Sequence, residues 1–376
     1  MELRPTIETF SSEHLKTAAE ITLAGLSKHP WGERVIERYA FWPEERVESP
    51  ALHTEISGIE LENPVMVGAG WDKKGRAVWG LYHLGFSGVE VGTVPLFAQP
   101  GNPRPRMWTF GNRHSVGLNR LGFNSNGVET SAQHLEEQQP FRYPVGINVG
   151  KNKLMTDDMS PQAHAEVVKH LYKFASYFVF NPSSPNTPGL TNLQRREPLS
   201  DHLEAMQAAM LACGGLKPLY SKISPDITPE GFEDVIEVSI EKGASGLILC
   251  NTTASNAIKA KYGKHNEMGG LSGDDWEYRA IVQRMVRHAY EEAGDKLDII
   301  SAGAISRTEH AIERMMVGAS AVQVVTGIRQ TYGRVAADIN KGILDWMKRH
   351  DVASIKDIIG VATKKGPKSW PKQVNK

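Results

Sequence analysis

From residue 64 onward, short apolar runs alternate with longer stretches of helical periodicity. The runs are PVMVGAG (64–70), GVEVGTV (88–94), VGINVG (145–150), YFVFNPSS (177–184), PLYSKIS (218–224), GLILCN (246–251), DIISAGA (298–304) and AVQVVTG (321–327). Each reads as nearly continuous apolar sequence, the mark of a strand covered on both faces. The intervening segments carry helix-start signals. Ser160-Pro161 and Thr228-Pro229 each place a capping residue before a proline at the first helical position. Ser306 with Glu309 forms an S-x-x-E capping pattern. Eight such units predict an α/β fold, a closed (β/α)8 TIM barrel over residues 53–350. The rival is a doubly wound open sheet, which often carries G-x-G-x-x-G after its first strand; none stands there.

Residues 1–52 fall outside the alternation and predict an N-terminal helical extension. Ser12 to Ser27 reads as one helix with Leu15, Ala19, Thr22 and Leu26 on a face, ended by Pro30. Trp31, Val35, Ile36 and Tyr39 predict a second, shorter helix, followed by Phe41 and Trp42. The pair either caps the barrel or forms a hydrophobic, lipid-facing mouth. His53 to Leu61, with its Ser57-Gly58 turn, predicts a hairpin closing the barrel bottom. Residues 351–376 form a basic tail carrying Lys364, Lys365, Lys368, Lys372 and Lys376. It reads as a frayed, solvated terminus, with weak attraction to anionic lipid as the second reading.

Composition narrows the function. The 376 residues suit one barrel with insertions. Lys and Arg together equal Asp and Glu, 43 of each, so no global field draws the chain to nucleic acid. Cys213 and Cys250 are the only cysteines, which excludes a disulfide scaffold, four-cysteine zinc sites and iron–sulfur clusters held by this chain alone. There is no H-E-x-x-H and no carboxylate cluster, so no metal site is expected. The start, MELRPTIETF, lacks the secretory pattern, and no run approaches the roughly 18 apolar residues of a membrane span. A cytosolic-facing compartment is expected, with any membrane contact peripheral.

Barrels of this type carry their chemistry at the C-terminal strand ends. Polar residues gather there: Asp72 and Lys73, Thr93, Asn148, Asn181 with Ser183 and Ser184, Lys222, Asn251 with Thr252 and Thr253, and Thr326. The loop after the second strand adds Asn119, Phe123 and Asn124. This amide-rich set suits a flat polar heterocycle that needs both donors and acceptors. Gly303-Ala304 and Thr326-Gly327, at the last two strand ends, suggest a phosphate site and favour a cofactor such as FMN. Lys73 and Lys222 would stabilise negative charge on a reduced flavin; alternatively either one simply pairs with a carboxylate. In NPSSPNTPGL (181–190), Pro182, Pro185 and Pro188 stiffen a loop that would hold Ser184 over a bound ring as proton acceptor, with Thr187 as a relay. A rigid turn without chemistry is the bland reading.

At these residues the chain resembles the quinone-linked, class 2 dihydroorotate dehydrogenases. The matching stretches are NPVMVGAGWDKKG, GNPRPR, LNRLGFNSNG, GINVGKNK, NPSSPNTPGL, LCNTT, GGLSG and VQVVTG, in the family's order from about Gly58 to Ile343. The resemblance implies FMN-dependent oxidation of dihydroorotate to orotate in pyrimidine synthesis. Ser184 would remove the C5 proton, and the C6 hydride would pass to the flavin. Lys73, Asn119, Asn181, Asn186, Asn251 and Thr252 would hold the substrate, with Phe123 closing over it. Ala69, Gly70, Lys73, Thr93, Asn148, Asn181, Lys222, Ser272, Gly273, Gly303 and Thr326 would hold FMN. Electrons would pass to membrane quinone beneath the N-terminal helices, on the cytoplasmic side of the membrane; the alternative is a soluble cytoplasmic protein.

The chain departs from the family at Cys250, usually threonine, at Ala304, usually glycine, and at Val325, often tyrosine. After PRPR the family often has an arginine near the quinone, where this chain has Thr109, with Arg113 as a possible substitute. Three rivals stand beside this reading: a related flavin barrel acting on another dihydropyrimidine or an enone, a degenerate non-catalytic barrel, and a metal-dependent hydrolase or aldolase.

Overall fold

The computed structural model describes residues 46–186, 189–331 and 333–368. The expected helices between residues 12 and 42 lie outside these.

All eight apolar runs form strands. In chain order the strands are β1 (Thr54–Ile56), β2 (Ile59–Leu61), β3 (Val65–Val67), β4 (Val89–Val94), β5 (Met107–Phe110), β6 (Val116–Asn119), β7 (Val145–Val149), β8 (Tyr177–Phe180), β9 (Leu219–Ile223), β10 (Gly246–Leu249), β11 (Gly270–Gly273), β12 (Asp298–Ala302) and β13 (Ala321–Val324). Eight of them, β3, β4, β7, β8, β9, β10, β12 and β13, pair in parallel in that order and close into a barrel. The (β/α)8 expectation therefore holds, and the open sheet is excluded.

Two apolar layers explain why the strands read as continuous runs. Outward positions such as Val65, Val89, Val145 and Phe178 pack under the surrounding helices. Inward positions near the bottom (Met66, Tyr177, Tyr220, Ile248 and Ile300) fill the barrel interior together with Ile56 and Leu61 of the β1–β2 hairpin. Gly146 leaves the room that the Tyr177 ring occupies: a Cβ there would lie 2.1 Å from the ring's Cζ. The hairpin turns at Ser57 and Gly58, both at positive φ, and closes the bottom as expected.

Two helix starts differ from expectation. Thr228 does cap its helix, accepting the Gly231 N–H at 3.1 Å. Ser160, by contrast, is the first helical residue; its hydroxyl reaches the Asp157 carbonyl at 2.7 Å and His202 Nε2 at 2.7 Å. The helix after β12 runs Thr308–Met316 behind Arg307, without a side-chain cap, so the Ser306–Glu309 box does not form.

The C-terminal segment is also not frayed over its described part. Ile355, Ile358 and Ile359 are buried, and Gly360 and Ala362 donate to the carbonyls of Met315 and Met316. Lys368 pairs with Asp298 at the barrel bottom and donates to Ser320 Oγ at 3.1 Å. An apolar anchor and one basic residue thus hold a stretch whose composition reads as solvated. Lys372 and Lys376 lie outside the described residues.

One element had no counterpart in the apolar pattern. β5, β6 and β11 form an antiparallel sheet above the barrel mouth, joining the excursions after β4 and β10. Its register opposes Gly270 to Asn119 and Ser272 to Gly117, and so fixes two expected site residues over the barrel.

Candidate active site

Above the apolar plug, the next inward residues of the strands are polar. Glu90, Asn148, Lys222 and Gln323 point into the barrel from β4, β7, β9 and β13, all buried. Lys222 Nζ lies 3.0 Å from Glu90 Oε1, which also accepts from Asn148 Nδ2 at 2.6 Å. Gln323 donates to the other Glu90 oxygen and accepts from Lys222 at 3.3 Å. A buried charge is tolerable only with such pairing and hydrogen bonding. Of the two readings for Lys222, pairing with a carboxylate is what the geometry shows; the lysine also lines the cavity above.

A chain of side-chain hydrogen bonds climbs from this floor. Thr93 Oγ1 donates to Asn148 Oδ1 at 2.5 Å, and Asn181 Nδ2 reaches both Thr93 Oγ1 (3.0 Å) and Asn148 Oδ1 (2.9 Å). Ser183 Oγ donates to Asn181 Oδ1 at 2.9 Å. Asn251 Nδ2 in turn donates to Ser183 Oγ at 3.0 Å, and its main-chain carbonyl accepts from Tyr278 at 2.7 Å. Burial holds the Tyr278 phenol well above its usual range, so it remains a donor. Each amide is oriented by its neighbours, which gives the mouth a fixed pattern of donors and acceptors.

Ser184 is buried on the cavity wall, where its Oγ accepts the Asn186 N–H at 3.3 Å. Asn186 donates to Asn119 Oδ1 at 3.2 Å, while its own Oδ1 is buried without a hydrogen-bond partner. Lys73 Nζ reaches Asn124 Oδ1 at 2.6 Å. Phe123, at φ 51°, sets its ring beside Gly150, where a Cβ would come within 2.9 Å of the ring. The Thr252 side chain fills the space that the missing Cβ of Gly270 leaves. Thr187, the expected relay, lies outside the described residues.

These residues surround one cavity of about 700 Å³. Every residue expected to hold substrate lines it, as does every residue expected to hold cofactor except Asn148, which sits one level lower and acts through Glu90, Thr93 and Asn181. At the other side of the mouth, Ser272 Oγ and Thr326 Oγ1 are 3.0 Å apart beside the Gly303-Ala304 turn. Because the following helix starts only at Thr308, this end rests on turn backbone and hydroxyls rather than on a capping box.

Glu90, Gln323 and Tyr278 are site residues that the sequence reading missed. The first two sit inside apolar runs, and the only signal is their period-2 phase, which matches Asn148 and Lys222. Cys250 lines the cavity, but burial pushes its thiol well up, so it stays protonated. Arg113 is exposed at the rim, and Thr109 Oγ1 meets His114 Nδ1 at 2.9 Å.

Ala304 occupies the left-handed region at φ 54° and is buried. A Cβ there costs about 1–2 kcal/mol. Ala304→Gly is expected to raise the urea-unfolding free energy by about 1 kcal/mol, after the larger unfolded-state entropy of glycine is subtracted. Unchanged or lower stability would show that the turn is not strained.

The family model for dihydroorotate dehydrogenase matches residues 51–347. The chain belongs to the dihydroorotate dehydrogenase family. It is 36% identical over 319 residues, 84% of this chain and 87% of the relative, to a protein named dihydroorotate dehydrogenase (quinone) from Anaeromyxobacter sp. (strain K). A protein of the same name from Natronomonas pharaonis is 36% identical over 361 residues, 96% of this chain and 98% of its own length. Among solved structures, the ligand-free dihydroorotate dehydrogenase of Eimeria tenella superposes with a TM-score of 0.80 at 31% identity, covering 92% of this chain and 98% of that one. Membership in this oxidoreductase family removes the hydrolase and aldolase rival, and among the described residues no group of His, Cys, Asp and Glu could hold a metal.

Proposed function

We propose that this protein oxidises dihydroorotate to orotate with FMN bound in the cavity, Ser184 as the base, and quinone as the electron acceptor. The observation that carries the reading is Ser184 on the wall of a roomy cavity beside four asparagines and Lys73. The residues fit a flavin nucleotide. The volume suits a ligand of that size. A Cβ built on Gly70 would meet nothing within 4 Å, so its backbone is open to a flat ring. The hydroxyls of Ser272 and Thr326, with the Gly303 turn, supply neutral donors for a phosphate.

In this reading Ala69, Gly70, Thr93, Lys222, Ser272, Gly273, Gly303 and Thr326 hold the cofactor, with Asn148 and Asn181 bracing them. Bound FMN supplies the two-electron acceptor for the hydride that leaves C6. Ser184 Oγ takes the C5 proton and passes it to solvent. The unpartnered Asn186 Oδ1 accepts from a ring N–H, and Asn119, Asn181 and Asn251 complete the pairing to the pyrimidine edges. Lys73 faces the substrate carboxylate, Thr252 lies beside it, and Phe123 covers the ring from the Gly150 side. The Lys222–Glu90 pair keeps a positive group beneath the cofactor without leaving a bare buried charge.

No helix among the described residues is long and apolar enough to cross a membrane. The proposed membrane contact is peripheral, through the N-terminal extension of residues 1–52, on the cytoplasmic side.

The test is the visible spectrum of the purified protein. Dihydroorotate added without oxygen should bleach the flavin band, and dihydrouracil should not. Reoxidation should follow addition of a benzoquinone and not of NAD or fumarate. A colourless protein, or a flavin untouched by dihydroorotate, would overturn the reading.

A further inference from the structure

Asn251 stands just beyond β10 on the cavity wall, and each of its polar groups is engaged. Its N–H donates to the Ile223 carbonyl at 2.9 Å. Its Oδ1 accepts the Thr252 N–H at 2.8 Å, and its Nδ2 donates to Ser183 Oγ at 3.0 Å. The peptide between residues 251 and 252 is therefore held on both edges, the N–H by the Asn251 side chain and the carbonyl by the Tyr278 hydroxyl at 2.7 Å. Both groups belong to one rigid plane, so turning that peptide would pull the Thr252 N–H off Oδ1 and release the amide. The restraint on the carbonyl comes from outside the barrel. Tyr278 lies in the first turn of the helix Trp276–Ala293, where Asp275 Oδ1 accepts its N–H at 2.9 Å. The residue is buried and reaches the cavity wall. A Cβ on Gly303, just after β12, would lie 2.1 Å from the phenolic oxygen, so this glycine makes room for the hydroxyl. Burial keeps the phenol protonated near neutral pH, and its proton is directed to the Asn251 carbonyl. Tyr278 is thus no base, and its hydroxyl acts through Asn251.

We propose that Tyr278 is a positioning residue for the substrate: its hydroxyl fixes the 251–252 peptide, and that peptide fixes which way the Asn251 amide faces the pyrimidine. The inference rests on the substrate reading of the proposed function, in which Asn251 pairs with a pyrimidine edge. An amide already held in its binding orientation loses little side-chain freedom when the ligand arrives, and a released one loses more. Two other roles compete with this one: the ring serves packing alone, or the hydroxyl supports the cofactor turn at Gly303.

The experiment compares Tyr278→Phe, which keeps the ring and removes the hydroxyl, and Tyr278→Ala, which removes both, with the wild-type holoenzyme. Four quantities are read: FMN content, the Kd of orotate from the shift it causes in the flavin spectrum, anaerobic flavin reduction by dihydroorotate, and amide hydrogen exchange over residues 250–253. For Tyr278→Phe, the orotate Kd and the half-saturating dihydroorotate concentration should rise about three- to tenfold, the weight of one ordinary hydrogen bond. The limiting rate of reduction should change far less, FMN content should hold, and exchange over 250–253 should quicken. A Tyr278→Phe protein that binds orotate as the wild type does, with only Tyr278→Ala impaired, would overturn the proposal in favour of packing. Loss of FMN from Tyr278→Phe would overturn it too and assign the hydroxyl to the cofactor turn. If dihydroorotate fails to reduce even the wild type, the substrate reading falls by itself. The exchange measurement then still decides whether the hydroxyl holds the 251–252 peptide, and unchanged exchange in Tyr278→Phe would show that it does not.

Discussion

Replacing Ser184 with alanine should slow flavin reduction by dihydroorotate about 10²–10⁴-fold, the usual contribution of a positioned general base. FMN should remain bound, because Ser184 is not among the groups that cradle it. The hydroxyl is held by geometry rather than by an adjacent histidine. It stands between Pro182 and Pro185, which stiffen the loop, and accepts the Asn186 N–H, which leaves its own proton and a lone pair for other partners. Removing the oxygen leaves the asparagine set in place, so substrate affinity should change far less than rate. Anaerobic stopped-flow mixing separates the two, since the limiting rate reports chemistry and the half-saturating concentration reports binding. Reduction at near wild-type speed would take Ser184 out of the mechanism. A loss of affinity with an unchanged limiting rate would make it a binding group only.

The second large effect concerns the floor of the site. Glu90→Gln removes the carboxylate that meets Lys222, while a similar shape remains. Breaking one partner of a buried ion pair typically costs about 3–5 kcal/mol, because the other charge stays buried without compensation. Lys222→Met should be similarly harmful, since Glu90 would keep only the amide donors of Asn148 and Gln323. The double variant Glu90→Gln/Lys222→Met should be less destabilised than the two single losses added together. Urea unfolding of the three variants forms the cycle. Strict additivity would mean that the pair is not coupled and that the lysine is neutralised in another way. Flavin content should fall in Glu90→Gln, because the amide ladder through Asn148, Thr93 and Asn181 stands on Glu90, and in Lys222→Met, because Lys222 lines the cavity where the cofactor is proposed to bind.

Much of the fold was legible in the chain itself. Runs apolar at every position, separated by helical periodicity, leave little choice but parallel strands buried on both faces, and eight of them close a barrel. The bottom hairpin followed from Ser57-Gly58, and the strand-end amides followed from the rule that barrel chemistry sits at one rim. Other features were hidden because they depend on partners distant in sequence. The capping pattern at Ser306 and Glu309 is present as letters, but the backbone begins its helix at Thr308. The basic tail reads as solvated, yet Asp298 and an isoleucine anchor hold residues up to Lys368. The roof of β5, β6 and β11 comes from pairing between loops some 150 residues apart, for which no local pattern exists.

By itself the sequence determined the barrel, the rim on which chemistry collects, and the residue types gathered there, because periodicity and strand-end position are local properties. Only the tertiary structure decided which polar groups compensate one another: Glu90 beneath Lys222, Tyr278 behind Asn251, and Arg329 against the His114 carbonyl. The physical reason is that the cost of a buried charge or donor depends on what stands within about 3 Å of it, and chain order does not encode that distance.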